Sequence, residues 1–372
     1  MGRNDTVNKA RVYLDHNATT PLRPEARAAM AAAMDILGNP SSVHAEGRAA
    51  KMLVERNRAL VAELVGCNPQ QVVFTSSATE AAALAVAQRG RHGGVFTALP
   101  TEHDCLGVWA ENETPAPYGR DGRAVVESYV YHGLVAVSAA NSETGVMAPD
   151  AAVVGSGDGY STICDITQMA GKMPVFYEEI TPSYAILSAH KLGGPKGIGA
   201  LINFTHDDPA PMLRGGGQEM NRRSGTENII GIAGFGAAAL AAGRDVAAGR
   251  WDEVAQLRSI LENAIASVSK KTIFVGKEAT RLPNTSCMLT PGWKGETQVM
   301  QMDLAGFAIS AGSACSSGKV KASKVLLAMG YDETEAASAV RVSLGLETTK
   351  EDVLAFADAW ALKFEKNQMR AA

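Results

Sequence analysis

The sequence predicts an α/β fold built on an open, largely parallel sheet. Four short apolar runs each end in a polar cluster, namely QVVF before TSSATE, LVAVSAA before NSETG, TIC before DITQ, and YAIL before SAHK. Each run has the pattern of a buried strand followed by a functional turn, and strands that alternate with helices are typical of parallel sheets. Ligands bind beyond the carboxyl ends of such strands, which is where these polar clusters stand.

The chain length predicts two domains. The chain has 372 residues, which is more than one hydrophobic core usually organises. From about residue 250 the pattern is led by helices, which is consistent with a smaller α+β domain. We therefore expect a large α/β domain over residues 1–250 and a small C-terminal domain over residues 251–372.

Periodic apolar residues predict the main helices. Residues 45–66 carry apolar pairs at helical spacing, and Gly66 is a plausible stop. Residues 254–268 have one apolar stripe, and residues 349–365 begin with a Thr and an Asp at the spacing of a capping box. The apolar run at 229–242 is too short to span a bilayer and is diluted by glycine, so we expect a buried helix there.

Composition and charge exclude several classes of function. The net charge is −4 and the chain has no dense block of Lys and Arg, which argues against nucleic acid or an anionic membrane as the main partner. The first residues contain no apolar stretch of signal-peptide length, so we expect no export. The five cysteines include no C-x-x-C pair, which disfavours a disulfide framework or a zinc site and favours the reducing cytosol.

Lys191 is a candidate for covalent chemistry. It follows a predicted strand directly and precedes a glycine-rich turn in SAHKLGGPKGIGALINF (188–204). A lysine at the carboxyl edge of a sheet is partly desolvated, which favours the neutral form that makes a Schiff base with a carbonyl cofactor. The plainer interpretation is a solvated lysine in a turn.

Two other turns carry groups suited to a cofactor. In FTSSATEAAAL (74–84) a strand leads into hydroxyl residues and a helix, where backbone N–H groups and the helix dipole favour a phosphate; an ordinary N-cap has the same pattern. Asp165 and Gln168 follow a third strand. A carboxylate there could pair with a ring N–H⁺ and an amide could bond a phenolic oxygen, although both could also cap a helix.

His103, Arg341 and Cys315 complete the candidate set. His103 in TEHDC is either a flat ring against a cofactor face or a loop histidine. Arg341 lies on an apolar, strand-like stretch, where its guanidinium could bind a substrate carboxylate or form an internal salt bridge. Cys315 stands among glycines and small polar residues in ISAGSACSSGKV (309–320), which offer nothing to bury a thiol.

Together these stretches resemble the cysteine desulfurases of the fold-type I pyridoxal-phosphate (PLP) enzymes, within the class V aminotransferase group. The resemblance extends from VYLDHNATTPLRPE (12–25) through GNPSSVH (38–44) to RVSLGLETT (341–349). Its most specific pieces are SAHKLGGPKGIGAL, GGGQEMNRRSGTEN and SAGSACSSG, and the last resembles the NifS/IscS branch. The resemblance implies a large domain with a mostly parallel seven-stranded sheet, a smaller α+β domain, and an N-terminal segment (1–20) that packs near the small domain.

The resemblance also implies roles for the candidate residues. Lys191 would carry the cofactor as a Schiff base and move the proton at the substrate Cα. Asp165 would keep the pyridine nitrogen protonated, Gln168 would bond the ring oxygen, and His103 would stack on the ring and assist proton transfers. Arg341 would bind the carboxylate of the substrate, L-cysteine.

The cofactor phosphate would be bound from both subunits of a homodimer. The resemblance implies phosphate contacts from Ala78 (through its N–H), Thr79, Ser188 and His190. Thr226 would reach the phosphate of the neighbouring subunit, so that a homodimer is needed for two complete sites.

Cys315 would be the group that takes up the sulfur atom. Its thiolate would attack the substrate sulfur, leaving a persulfide on the protein and releasing alanine. His103 or the substrate adduct could accept the thiol proton. A mobile loop would then present the sulfur to an acceptor protein, and Lys319, Lys321 and Lys324 could steer an acidic acceptor, although a solvated charged face is the plainer interpretation.

Several positions depart from the family pattern. Ser77 stands where the phosphate turn usually has Gly, an Asn often found in the helix after it is replaced within residues 81–83, and the segment between His103 and Asn141 is short. Family members usually have Asn where NSETG has Ser142, with Asn141 one position early.

The leading hypothesis is a cytoplasmic L-cysteine desulfurase supplying sulfur for iron–sulfur clusters or for thio-modified cofactors and tRNA. A selenocysteine lyase and a plain class V aminotransferase are related alternatives, though a transaminase needs no mobile thiol. A weakened homologue that serves as a partner-binding scaffold is an alternative of another class.

Overall fold

The computed structural model describes residues 11–113, 118–122, 132–148, 159–175, 181–312 and 322–371. Cys315, Lys319 and Lys321 lie outside these described residues. In chain order the strands are β1 (Val12–Tyr13), β2 (Val72–Thr75), β3 (Phe96–Ala98), β4 (Asn112–Glu113), β5 (Gly133–Ser138), β6 (Tyr160–Asp165), β7 (Tyr184–Ser188), β8 (Gly199–Asn203), β9 (Ile273–Phe274), β10 (Thr285–Leu289), β11 (Phe307–Ala308), β12 (Ser310–Ala311) and β13 (Ala339–Ser343). The helices are α1 (Pro24–Met34), α2 (Ala45–Val65), α3 (Ala78–Val86), α4 (Asp104–Gly107), α5 (Ile229–Ala247), α6 (Arg250–Val268), α7 (Gly295–Leu304), α8 (Lys324–Ala328), α9 (Glu333–Ala337) and α10 (Lys350–Ala371).

The central sheet has seven strands in the order β2-β8-β7-β6-β5-β3-β4. From β7 to β4 all neighbours run parallel, whereas β8 is antiparallel to both of its neighbours, β2 and β7. Strands β2, β7 and β8 are buried along their whole length, as is usual where helices cover both faces of a sheet. The predicted, mostly parallel seven-stranded sheet is confirmed.

Local sequence explains where the predicted helices begin and end. Helix α2 begins after His44, whose side chain caps its first turn, and ends at Gly66, whose φ of 69° is one that glycine adopts without steric cost. Helix α10 begins after Thr349. The Thr349 hydroxyl accepts from the backbone N–H of Asp352 at 3.1 Å, and the Thr349 backbone N–H donates to the Asp352 carboxylate at 3.0 Å. These two hydrogen bonds confirm the capping box.

Helix α5 confirms the predicted buried helix and lies at the centre of the larger core. It packs against α1 and α2. In the described ranges it is the one helix long and apolar enough to cross a membrane by length and composition. Its side chains Ile232, Phe235 and Ala238 are almost completely buried within the core, so we assign it to the protein interior.

The C-terminal part of the chain forms a second core on an antiparallel four-stranded sheet, in the order β12-β13-β10-β9. Trp293 and Trp360 lie within this core, with ring centroids 5.4 Å apart. Strand β1 pairs in parallel with β11, and Leu14 just after it is part of the same core. Residues 12–14 therefore contact the second core, whereas the packing expected for the whole segment 1–20 and the domain boundary expected near residue 250 stay predictions.

Candidate functional site

The structure brings Asp165, Ser188 and Lys191 together at one edge of the central sheet. Asp165 ends β6 and Ser188 ends β7, and these two strands are parallel neighbours. Lys191 follows in the short turn Ala189–Lys191. Because the carboxyl ends of parallel strands meet at the same edge, these side chains stand where ligands bind in sheets of this kind.

The N-terminal segment holds the side chain of Lys191. The Nζ of Lys191 donates to the carbonyl oxygens of Asn17 at 2.6 Å and Ala18 at 2.8 Å. The hydroxyl of Thr20 in turn donates to the backbone carbonyl of Lys191 at 3.0 Å. The lysine is half-buried, not a freely solvated turn residue. The amine of Lys191 is thus directed toward residues 17 and 18.

Asp165 and Gln168 are both buried beside this lysine. Asp165 accepts from the backbone N–H of Thr167 at 2.9 Å, which makes a tight turn after β6. Gln168 lies on that turn, and its amide nitrogen donates to the carbonyl oxygen of Asn17 at 3.0 Å. The same carbonyl oxygen therefore accepts hydrogen bonds from both Gln168 and Lys191.

His103 is exposed at the start of the short helix α4. Its Nδ1 accepts from the backbone N–H of Cys105 at 3.1 Å. A backbone amide can only donate, so Nδ1 is unprotonated and a neutral ring carries its proton on Nε2. Accepting a proton at Nδ1 would break the contact with Cys105. His103 in this arrangement is a hydrogen-bond donor at Nε2.

The first turn of α3 presents unpaired backbone groups beside the sheet edge. The hydroxyl of Ser77 caps the helix by accepting from Glu80 N at 3.3 Å, and Ala78 and Thr79 begin the first turn. Gly199 on β8 allows this close approach, since a Cβ there would lie 2.9 Å from the nitrogen of Ala78. The start of a nine-residue helix thus packs directly on the strands next to Lys191.

His190 lies next to Lys191 and is neutral at physiological pH. Burial, followed by the charges of Lys191 and Lys196, lowers the pKa of His190 to about 4. Its Nδ1 lies 3.1 Å from the hydroxyl of Thr19. A neutral imidazole with a hydroxyl neighbour can donate one hydrogen bond to an anion without adding charge to the site.

Arg341 is buried and already holds one carboxylate. Its guanidinium donates to Asp15 at 2.9 Å and to the carbonyl oxygen of Ser142 at 3.1 Å. Its Nε is buried and, among the described residues, has no hydrogen-bond partner. The internal salt bridge considered from the sequence is therefore present, and the guanidinium keeps N–H groups beyond the two that donate to Asp15 and Ser142.

Asn141 does not take the place of the family Asn at position 142. Its side-chain oxygen accepts from the backbone N–H groups of Glu143 and Thr144 at 2.9 and 3.0 Å. Its amide nitrogen donates to the carbonyl oxygen of Thr101 at 3.0 Å. The side chain is thus occupied by its own turn. Ser142 contributes its backbone carbonyl, which accepts from Arg341.

The residues on either side of Cys315 lie close to Arg341. Ser310 on β12 pairs with Arg341 on β13, and its hydroxyl donates to Asp15 at 2.8 Å. On the other side, the Ser323 hydroxyl donates to the Glu143 carboxylate at 2.5 Å. Burial raises the pKa of Glu143 to about 7. The next residue, Lys324, forms an ion pair with Asp104.

Thr226 is not brought next to Lys191. It is exposed and lines a separate cavity of about 230 Å³ together with Ser76 and Gly197. A larger cavity of about 620 Å³ touches Lys191 on the side of the N-terminal segment, and Lys191 is the only predicted site residue among its lining residues. Asp165, Ser188 and Lys191 therefore gather at the sheet edge, and of these three only Lys191 also lines the larger cavity.

Sequence reasoning missed three residues that hold the site together. Asn17 supplies the shared carbonyl oxygen, and Asp15 pairs with Arg341 from 326 positions away. Lys172 donates to the side-chain oxygen of Gln168 at 2.9 Å. Of these three, only Lys172 could have been found from the sequence, because it stands four positions after Gln168, which is the spacing of one helical turn.

The chain matches the family model of the class-V aminotransferases over residues 12–356. It is 39% identical to a cysteine desulfurase of Frankia sp. (strain EuIK1), over 93% of this chain and 90% of the relative, and 38% identical to one of Cereibacter sphaeroides, over 92% and 93%. An X-ray structure of a NifS-like protein from Rickettsia africae ESF-5 superposes with a TM-score of 0.85 at 30% identity, over 95% of this chain and 99% of that one. On this full-length agreement of sequence and fold, the chain belongs to the aminotransferase class-V family.

Proposed function

We propose that this chain is a PLP-dependent cysteine desulfurase, which converts L-cysteine to L-alanine and keeps the sulfur atom as a persulfide. The observation that carries the proposal is the position of Lys191 at the carboxyl edge of β7, beside Asp165 and Gln168. The curated relatives with this name cover nearly the whole chain. Family members of this class depend on PLP.

The donor set at the sheet edge fits PLP. A lysine amine, a buried carboxylate and a buried amide are the partners for the carbonyl, ring nitrogen and ring oxygen of this cofactor: Lys191, Asp165 and Gln168. The start of α3, with Ala78 and Thr79, supplies donors for a phosphate. The phosphate contacts would be completed by Ser188, His190 and, from a second subunit, Thr226.

The resemblance to the cysteine desulfurases gives each of these side chains a task. When bound, PLP supplies an electron sink that weakens the carbon–sulfur bond of the substrate. Lys191 moves the proton at the substrate Cα, and Asp165 holds the proton on the ring nitrogen. His103 would lie against the ring and offer its Nε2 proton. Arg341 binds the substrate carboxylate through N–H groups that Asp15 and Ser142 leave unused.

Cys315 is the nucleophile that takes the sulfur. Its thiolate attacks the substrate sulfur; the new S–S bond forms as the carbon–sulfur bond breaks, and protonation of the carbon gives alanine. The four described cysteines are unsuited, because burial raises the pKa of Cys67 and Cys287 to about 12 and that of Cys105 and Cys164 further.

The assembly and its partners follow from the same assignment. We propose a cytoplasmic homodimer that passes sulfur to an acceptor protein for iron–sulfur clusters, thio-cofactors or thio-modified tRNA. It has no direct contact with nucleic acid or membrane. Lys324 is paired with Asp104, so Lys319 and Lys321 are the better candidates to meet an acidic acceptor.

The test compares the wild type with Cys315→Ala on L-cysteine, measuring sulfide and alanine together. We expect the variant to keep the visible absorbance of bound PLP and to lose turnover of both products. Cys67→Ala is the matched control, because this half-buried thiol just after α2 has no part in the proposed chemistry and its loss should leave turnover intact. Release of both products by Cys315→Ala at the wild-type rate would contradict the role of this thiol.

A second variant tests the cofactor assignment separately. Lys191→Ala removes the amine that bonds to PLP, so the visible band should be absent after reconstitution and dialysis. Lys196→Ala, an exposed lysine in the same segment, serves as the control. If the band persists in Lys191→Ala, the cofactor is bound elsewhere.

A further inference from the structure

Lys172 is a buried lysine close to the site that none of the proposed steps uses. Only 2% of its surface is exposed. Burial, followed by the charges of Lys191 and Arg341, lowers its pKa to about 7, and in the described part of the chain no carboxylate offsets this. Burying an amine without an acidic partner is costly, so this side chain needs a reason to be there.

Both hydrogen bonds of Lys172 go to a single residue, Gln168. Its Nζ donates to the backbone carbonyl of Gln168 at 3.0 Å and to the side-chain Oε1 at 2.9 Å. The Nε2 of Gln168 donates to the carbonyl oxygen of Asn17 at 3.0 Å. The Lys172 amine donates to one end of the Gln168 amide, and the Asn17 carbonyl can only accept from the other end. These two partners therefore fix which end is Oε1 and which is Nε2.

The turn that carries both residues is packed firmly in place. Between them lies Gly171, with φ of 78°; a Cβ there would lie 2.9 Å from the Cβ of Ala242 on α5. The indole N–H of Trp251 donates to the carbonyl oxygen of Gly171 at 2.9 Å. The amine of Lys172 is therefore held at a defined position below the Gln168 amide.

We propose that Lys172 is a positioning residue that orients the Gln168 amide so that an N–H, and not the carbonyl oxygen, is offered to the ring oxygen of the cofactor. The inference rests on the proposed function. Of the two hydrogens on Nε2, one goes to Asn17 and the other is left for the ligand. A flipped amide would place its oxygen against the ring oxygen, and two acceptors repel. The amine keeps N–H donors in both protonation states.

The experiment is a double-mutant cycle on PLP binding to the apoprotein, followed by fluorescence titration. We expect Lys172→Met, which keeps the length of the side chain without its donor, to raise the Kd for PLP about three- to tenfold, as for one lost hydrogen bond. In a Gln168→Ala background the same change should alter Kd less than twofold, because Lys172 acts through that amide. Lys270→Met, at an exposed lysine, is the control and should bind as the wild type does.

The outcomes separate this inference from the proposed function. If the wild type does not bind PLP, the proposed function is wrong. If the wild type binds and Lys172→Met binds equally well, or if Lys172→Met loses the same factor in both backgrounds, Lys172 does not act through Gln168. Circular dichroism checks folding, and Lys172→Gln, which restores a neutral donor, should recover part of the affinity. Loss of the native spectrum in both Lys172 variants would mean a structural role and would overturn the proposal.

Discussion

Arg341 shows how one side chain serves the protein and leaves a donor for a ligand. Asp15 and Ser142 take two of its nitrogens, and its buried Nε has no partner among the described residues. This arrangement depends on the planar fork of a guanidinium, which a lysine cannot reproduce. The Asp15 carboxylate and the Ser142 carbonyl therefore hold Arg341 in place and also limit how a substrate carboxylate can approach its guanidinium.

We expect Arg341→Lys to raise KM for L-cysteine by about tenfold to 100-fold, the loss of one charge-assisted hydrogen bond, with a smaller change in kcat. Steady-state alanine production gives both constants. Arg120→Lys is the control, because this exposed arginine pairs with Glu335 away from the site. An unchanged KM would mean that the substrate carboxylate is bound by another group.

Glu102, next to His103, predicts a pH-dependent stability. Its buried carboxyl accepts from the backbone N–H and hydroxyl of Ser138 at 2.8 and 2.6 Å. Burial raises its pKa from 4.5 to about 7, against the lowering effect of Ser138 and with a further rise from Asp165. Between pH 4.5 and 7 the folded state therefore binds a proton that the unfolded state does not, so this group lowers stability as pH rises through that window.

Glu102→Gln mimics the protonated carboxyl and should remove this dependence. From pH 5 to pH 8 we expect the variant to gain about 2–3 kcal/mol in the free energy of unfolding relative to the wild type. Urea denaturation at both pH values measures the difference, in which the other titrating groups cancel. If the difference in the free energy of unfolding between variant and wild type is the same at both pH values, the pKa of Glu102 is not raised.

At the scale of elements, what the sequence predicts depends on how local the signal is. Helix α2 with its Gly66 stop and the Thr349–Asp352 capping box follow from residues a few positions apart, and they are confirmed. The antiparallel direction of β8 and the pairing of β1 with β11 join residues far apart in the chain, and no periodicity encodes them. The residues of the candidate site divide in the same way, into those that the local sequence predicts and those that only tertiary packing brings together.

Residues that follow a strand could be recognised as site candidates because the ends of parallel strands meet. The Asp15–Arg341 pair and the shared carbonyl of Asn17 could not, because a backbone carbonyl carries no side-chain signature and its partners are brought by tertiary packing. The resemblance to a family supplied the roles. Chemistry alone left Lys191 open to a plainer interpretation, and its contacts with Asn17 and Ala18 now argue against a solvated turn lysine.

The turn before the Thr226 segment depends on a buried ion pair. Glu219, Met220 and Asn221 all have positive φ, between 48° and 67°, which is unfavourable for residues other than glycine. Glu219 accepts two hydrogen bonds from Arg58 at 2.7 and 2.8 Å and one from the backbone N–H of Phe74 at 2.8 Å. These contacts hold the turn in its strained conformation.

Arg58→Met leaves the Glu219 carboxylate buried and unpaired, which should cost about 3–5 kcal/mol in the free energy of unfolding. The double variant Arg58→Met/Glu219→Gln should be more stable than the single one, because no uncompensated charge remains. Urea denaturation compares the three proteins. If Arg58→Met is as stable as the wild type, the pair does not hold the turn.

At the scale of the whole molecule, one stretch of the chain exposes several large apolar side chains. Between α1 and the first turns of α2, four large apolar side chains are exposed by 64–90%: Met34, Leu37, Val43 and Met52. We call these the 34–52 patch. The segment is fixed, since Gly38 packs so tightly on the start of α2 that a Cβ would overlap the carbonyl of Glu46. Large exposed apolar patches mark interaction surfaces, and the homodimer proposed for this chain gives the patch an occupant.

We therefore expect Leu37→Asp/Val43→Asp to convert a dimer into a monomer, because each change would bury a carboxylate against the apolar surface of the second copy. Sedimentation equilibrium measures the mass, and circular dichroism verifies that each variant is folded. Leu304→Asp is the matched control: Leu304 is 84% exposed at the end of α7, away from the patch, and its replacement should leave the dimer intact. Because Thr226 is proposed to complete the phosphate site of the other subunit, the monomeric variant should also bind PLP more weakly than the control. A dimer that survives both patch substitutions would place the interface on another surface.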